Sequence, residues 1–290
     1  MWELLLCTHT DTFPPYLHPR PYSPQVQGGN LIGRGAVDAK GQIAALLEAV
    51  KFSKRDCVIA LVVDEENEGK SSEILEVEVE AAVVLEPTNL DIAIAEAGAV
   101  EVEIEVKGKG VHAATPDRGK CHTKALEIYE RIKTLPFLRQ RHALLPKSWV
   151  NLGVIEGGCD VGMVPEKCKI QLDVVILPGV DVEEAIKQIK GLTEGEGASL
   201  KILDISPPFS VEQSEKIVRT LSKAFKEVTQ REPRFCGMRS WTDAENLMAK
   251  GIPTLIFGAG DLAHAHSSHE SISIKDLETM AKILAHLIDL

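Results

Sequence analysis

Short apolar runs separated by polar turns and by stretches of helical periodicity fill the first hundred residues. Leu4–Cys7, Val58–Val63 and Ala82–Leu85 read as strands, and Lys40–Phe52 carries its apolar residues at helical spacing. Strands alternating with helices imply an α/β domain with a predominantly parallel sheet, whose functional side chains gather at the carboxyl ends of its strands. Near Gly98 the pattern changes. From Ala99 to Lys107 valine and isoleucine alternate with glutamate, the period of a strand with one wet face. A helix around Lys124–Thr134, strands near Trp149–Ile155 and Lys169–Ile176, and a helix near Val182–Lys190 complete an α+β segment. Ser206-Pro207-Pro208 interrupts the chain. Helix Glu212–Val228, helix Asp243–Ala249, strand Pro253–Phe257 and helix Ile274–Leu287 then resume the α/β style. The expected organisation is one domain, residues 1–97 and 206–290, interrupted by a smaller one, residues 98–205.

Composition narrows the class. The 290 residues suffice for one large core or two modest ones, and 44% hydrophobic with 26% charged residues is the make-up of a soluble globular protein. A net charge of -11 without a basic run repels polyphosphate, so no nucleic-acid partner is expected. No apolar run approaches the roughly 18 residues that cross a bilayer, and the start Met-Trp-Glu-Leu-Leu-Leu-Cys lacks a basic region and a cleavage site. A cytoplasmic protein with no membrane partner is the expectation. The six cysteines are scattered without a CxxC pair, which favours reduced thiols over a disulfide framework or a zinc ribbon.

Several short segments place acids and histidines where strands should end. In Thr8-His9-Thr10-Asp11 alternation puts His9 and Asp11 on one face, a spacing that suits a ligand histidine with the carboxylate that orients it. Gly33-Arg34-Gly35-Ala36-Val37-Asp38-Ala39-Lys40-Gly41 sets Asp38 just before a helix, where an N-cap is the structural alternative. Asp64-Glu65-Glu66 follows one apolar strand and Glu86 ends another. Ala265-His266-Ser267-Ser268-His269-Glu270 follows the turn Gly258-Ala259-Gly260. Each segment alone fits a structural role.

Together, in this order from His9 to Glu270, they resemble the zinc-dependent deacylases and exopeptidases that include acetylornithine deacetylase, succinyl-diaminopimelate desuccinylase and glutamate carboxypeptidase. The resemblance implies a zinc-exopeptidase-like catalytic domain interrupted by a lid and dimerisation domain. It implies two zinc ions per subunit, with cobalt or manganese as alternatives. His9 and Glu86 would bind one ion, Glu66 and His266 the other, and Asp38 both. Asp11 would orient His9, and Glu65 would be the general base. His266 is matched to the family ligand because Glu270 follows four positions later, which leaves His264 and His269 as surface residues. Gly108-Lys109-Gly110-Val111-His112, with Pro116 and Gly119, resembles the segment whose histidine reaches the active site of the other subunit in a homodimer. Asp243 resembles a motif residue near the site, with a helix N-cap as the alternative. A cis peptide bond after Asp38 is also implied.

Three departures stand out. Family members usually carry a helix and a strand before the His-x-Asp strand, whereas this chain begins almost on it, which predicts an exposed sheet edge. Gly162 stands where the family usually has Asn, and Val175 where it usually has Arg, two residues that commonly hold the substrate. The expected activity is hydrolysis of an amide bond in an N-acyl amino acid of the acetylornithine or acetyl-lysine type. A carboxypeptidase or dipeptidase acting on a short peptide, and a non-catalytic metal-binding relative, are the alternatives.

Overall fold

The strand β1 (Leu4–His9) is buried at every position, as an unbroken apolar run between two neighbours has to be. Through α1 (Lys40–Phe52) the chain reaches β2 (Val58–Val62), then the short helix α2 (Lys70–Glu73), β3 (Ala81–Val84) and β4 (Ile92–Glu96). β2 and β3 flank β1, both parallel to it. This computed structural model describes residues 3–115, 120–195 and 197–290. They fall into two units, Met1–Ala95 with Ser210–Leu290, and Glu96–Phe209.

The second unit contains β5 (Gly98–Lys107), α3 (Cys121–Ile132), β6 (Val150–Gly157), β7 (Lys167–Ile176), α4 (Val182–Gly191) and β8 (Ala198–Ser206). Its sheet runs β8-β5-β7-β6 and is antiparallel throughout. The period-two expectation for β5 holds: Val100, Val102, Ile104 and Val106 enter a core with α3 and α4, and the glutamates between them face outwards. α3 starts at Cys121 and ends at Ile132, earlier than periodicity suggested, because the chain turns through Thr134 and Leu135, whose N–H groups go to Arg131 O and Ile132 O.

On its return the chain forms α5 (Lys216–Thr229), β9 (Phe235–Met238), α6 (Ala244–Ala249), β10 (Thr254–Ile256) and α7 (Ile274–Asp289). The first unit's sheet runs β4-β10-β3-β1-β2, with the short strand Phe209–Ser210 and β9 also paired to β4. β10 is parallel to β3 and antiparallel to β4. α1 packs on β1 and α7, α5 on β10 and α7, and α6 on β3 and β10. β2 is an edge: among the described residues it pairs with β1 alone, and Ile59, Leu61 and Val63 are exposed. A small antiparallel sheet of Gln25–Gln27, Asn30–Ile32 and Ser271–Ser273 joins the approach to α1 to the approach to α7, which brings Arg34–Asp38 next to Glu270. Among the described residues no helix is long and apolar enough to cross a membrane.

Candidate metal centre

The carboxyl ends of β1, β2 and β3 lie side by side, so the residues that follow them converge. His9 ends β1, Glu65 and Glu66 follow β2, and Glu86 follows β3. Asp38 arrives on the turn into α1, and its peptide bond to Ala39 is cis, as the resemblance implies. His266 comes from the loop before α7. The N-cap position of α1 is taken by Ala39 and not by Asp38, whose carboxylate is turned to the two histidines instead.

His9 Nε2 stands 2.8 Å from Asp38 Oδ1 and 3.6 Å from Glu86 Oε1, while His9 Nδ1 faces Asp11 Oδ1 at 3.3 Å. The other Asp11 oxygen accepts the Glu66 N–H at 3.1 Å. His266 Nε2 stands 3.2 Å from Asp38 Oδ2 and 3.0 Å from Glu66 Oε2. Donor atoms of His9, Asp38 and Glu86 lie within 4.8 Å of one another, as do those of Asp38, Glu66 and His266, and those of His9, Glu65 and Glu66. Asp38 therefore offers one oxygen to each histidine.

The electrostatics of this cluster call for cations. Burial works against charge on His9, yet its hydrogen bond to Asp38 and the charges of Glu65, Asp38 and Asp11 raise its pKa to about 9. Burial likewise opposes His266, which hydrogen bonds to Asp38 and Glu66 raise to about 10. Burial pushes Glu65 up, and despite the pull of His9 the charges of Asp38, Asp243 and Glu66 carry it to about 8. Burial, then Asp38 and Glu65, also hold Glu86 well above the usual carboxylate range. Glu86 Oε1 is buried without a hydrogen-bond partner among the described residues. An orphaned carboxylate oxygen between a histidine and a second carboxylate, in a cluster with more acids than bases, is the donor set a divalent cation satisfies. The residues present fit the implied metals.

Buried polar side chains behind the cluster lock this arrangement. Glu270 is fully buried; it accepts the N–H groups of Val37 at 3.0 Å and Asp38 at 3.3 Å and pairs with Arg34 Nη1 at 2.5 Å. Gln42, also fully buried, donates to Val37 O and Ala259 O and accepts the Ala259 N–H. At Gly258 a Cβ would lie 2.5 Å from Glu86 O and 2.6 Å from Gln42 Oε1, which is why this turn tolerates no side chain. Gly258→Ala is expected to cost about 1–3 kcal/mol of stability, measured by urea unfolding of the metal-free protein.

Among the described residues, the other predicted ones offer no atom to these clusters. Asp243 is fully buried at the N-cap position of α6, but its carboxylate makes no capping bond; the Ala244 N–H goes to Thr242 Oγ1. Burial raises its pKa to about 6. His264 and His269 are exposed. His112 belongs to the second unit, where it is exposed on the short strand Val111–His112 and its Nδ1 accepts the Ala114 N–H. Pro116 and Gly119 lie outside the described residues. Val175 is buried at the end of β7, opposite Ala99 of β5, and Gly162 donates its N–H to Asp160.

Histidines and carboxylates that converge at the strand ends of this α/β sheet form a candidate metal centre. The chain belongs to peptidase family M20/M25/M40, whose model matches residues 5–290. A protein of Pyrobaculum aerophilum named as a LysW-lysine/LysW-ornithine hydrolase is 31% identical over 96% of this chain and 79% of its own length. Acetylornithine deacetylase of Proteus mirabilis is 25% identical over 99% of this chain and 79% of its own. Among solved structures, an M20 metallo-carboxypeptidase of Sulfolobus solfataricus shares the fold with a TM-score of 0.80 at 18% identity, covering 100% of this chain and 85% of that one. An aminopeptidase of Bacillus cereus gives the same TM-score at 19% identity, over 99% of this chain and 80% of that one. The chain is thus a hydrolase of a metal-dependent family.

Proposed function

We propose that this protein hydrolyses the amide bond of an N-acyl amino acid, of the acetylornithine or acetyl-lysine type, with two divalent ions, zinc foremost. The observation that carries the reading is the placement of Asp38, one oxygen towards His9 beside Glu86 and the other towards His266 beside Glu66. His9, Asp38 and Glu86 hold one ion in this reading, and Asp38, Glu66 and His266 the other. When bound, the ions supply Lewis-acid polarisation of the scissile carbonyl and lower the pKa of the attacking water. Glu65 takes the proton that this water loses on attack and returns it to the nitrogen as the carbon–nitrogen bond breaks, so that a carboxylate and an amine leave. Asp11 keeps His9 in the tautomer and orientation that aim Nε2 inwards. The second unit serves as lid and dimerisation domain, and His112 of the partner subunit donates a hydrogen bond to the tetrahedral oxyanion.

The names of the two relatives support the N-acyl amino acid over a short peptide. The test is a panel of N-acetyl-ornithine, N-acetyl-lysine and dipeptides. Turnover of the acetylated amino acids is expected; hydrolysis of dipeptides alone would replace this reading with the dipeptidase or carboxypeptidase one. Exhaustive chelation is expected to abolish turnover, and zinc, cobalt or manganese to restore it; activity that survives removal of all metal would overturn the two-ion reading. The shared site has its own test. Mixing inactive Glu65→Gln with inactive His112→Ala subunits is expected to regain part of the activity, because one of the two sites in a mixed dimer is then intact. No recovery despite subunit exchange would remove His112 from the mechanism.

A further inference from the structure

The two histidines of the centre are held by unlike means. His9 lies within β1 with its side chain fully buried, and the Asp11 carboxylate faces its outer nitrogen at 3.3 Å. His266 sits on a loop, its side chain 42% exposed, and among the described residues no carboxylate or carbonyl hydrogen-bonds its Nδ1. What it has instead is Phe13. The phenyl ring lies flat against the imidazole, with ring centroids 4.0 Å apart and planes inclined by 8°. The same residue donates its backbone N–H to Glu66 Oε1 at 2.9 Å. Around the ring, Arg34 stands 5.9 Å from its centroid and donates to His266 O at 3.2 Å, while Tyr16 leans on it with centroids 5.4 Å apart.

We propose that Phe13 is the positioning residue of the Asp38–Glu66–His266 half of the centre, its ring face fixing the imidazole plane of His266 as Asp11 fixes that of His9. An imidazole on an exposed loop rotates freely about its Cβ–Cγ bond unless something restricts it. A parallel aromatic face does so without consuming a nitrogen. The backbone N–H to Glu66 is independent of the side chain, so ring and amide act separately on the two ligands. Phe13 offers no ligand atom of its own and acts through His266 and Glu66. The inference rests on the reading of His266 and Glu66 as ligands.

Metal-free wild type, Phe13→Leu, Phe13→Tyr and His266→Ala are to be titrated with zinc against a chromophoric chelator, and with cobalt while the visible bands are recorded. Leucine keeps the bulk and the amide but has no flat face; tyrosine keeps the face. Wild type is expected to take up two equivalents. Phe13→Leu should bind one of them as tightly as wild type and the other about 10–100-fold more weakly, the size typical of losing a group that orients a ligand. The cobalt bands of that equivalent should change, and Phe13→Tyr should restore both affinity and spectrum. Unaltered binding and spectra in Phe13→Leu would overturn the proposal, as would equal weakening of both equivalents with a fall in the unfolding midpoint of the metal-free protein. Loss of one equivalent in His266→Ala with intact binding in Phe13→Leu would overturn the ring's role alone. Retention of both equivalents in His266→Ala would overturn the ligand reading and the ring's role together.

Discussion

Glu65→Gln is expected to lower kcat by about 10²–10⁴-fold while the protein retains its metal, whereas Asp38→Ala should lose metal and activity together. The difference follows from geometry. Asp38 faces both histidines, so its removal takes a donor from each half of the centre. Glu65 is grouped with His9 and Glu66, but the two clusters that pair each histidine with Asp38 are complete without it. Glutamine keeps the shape of Glu65 and cannot accept a proton, so the loss should fall on kcat with little change in KM. Metal analysis of purified variants alongside steady-state kinetics checks the division. Equal metal loss in both variants would refute it.

Glu270→Ala is expected to destabilise the metal-free protein by about 3–5 kcal/mol, among the largest effects of any single substitution here. The carboxylate and Arg34 are both buried, and the variant strands the guanidinium without its counter-charge and the Val37 and Asp38 N–H groups without acceptors. Replacing Arg34 by Met in the same protein should recover part of the loss, because the uncompensated charge goes with it. Urea unfolding of both single variants and the double variant gives the coupling. A cost below about 1 kcal/mol for Glu270→Ala would show that water reaches Arg34. Since the Asp38 N–H is one of the groups released, metal affinity is expected to fall as well.

The parts of this structure written in local pattern were legible, and the parts written in distant partnership were not. α1 has the limits its periodicity suggested, and β5 alternates as its valines and glutamates require. β4 gave no comparable signal: its Ala93 and Ala95 have little strand preference, and burial on both faces removes the alternation. β8 lies outside the predicted elements although Leu200 and Ile202 alternate with polar residues, and β9 is too short to stand out. The motif glutamate at 270 served only as a landmark for His266, and its pairing with Arg34 across the chain has no trace in spacing. Gln42 likewise reads as an ordinary helix residue until the turn at Ala259 is brought against it. Phe13 reads as an apolar loop residue, since stacking on His266 depends on a loop from the other end of the chain.

The position of β10 between β3 and β4 bears on how the molecule comes into being. β3 and β4 are neighbours in sequence but not in the sheet, so a chain emerging from the ribosome cannot zip them together. The edges of β3 and β4 that face β10 gain that partner only after the whole second unit has been made, because β10 follows it in the chain. Closure waits for a late segment, and the same segment delivers His266. The same late segment brings Glu270 to the Asp38 N–H and Gly258 against Glu86 O, so the whole cluster takes its final form only once that segment is in place.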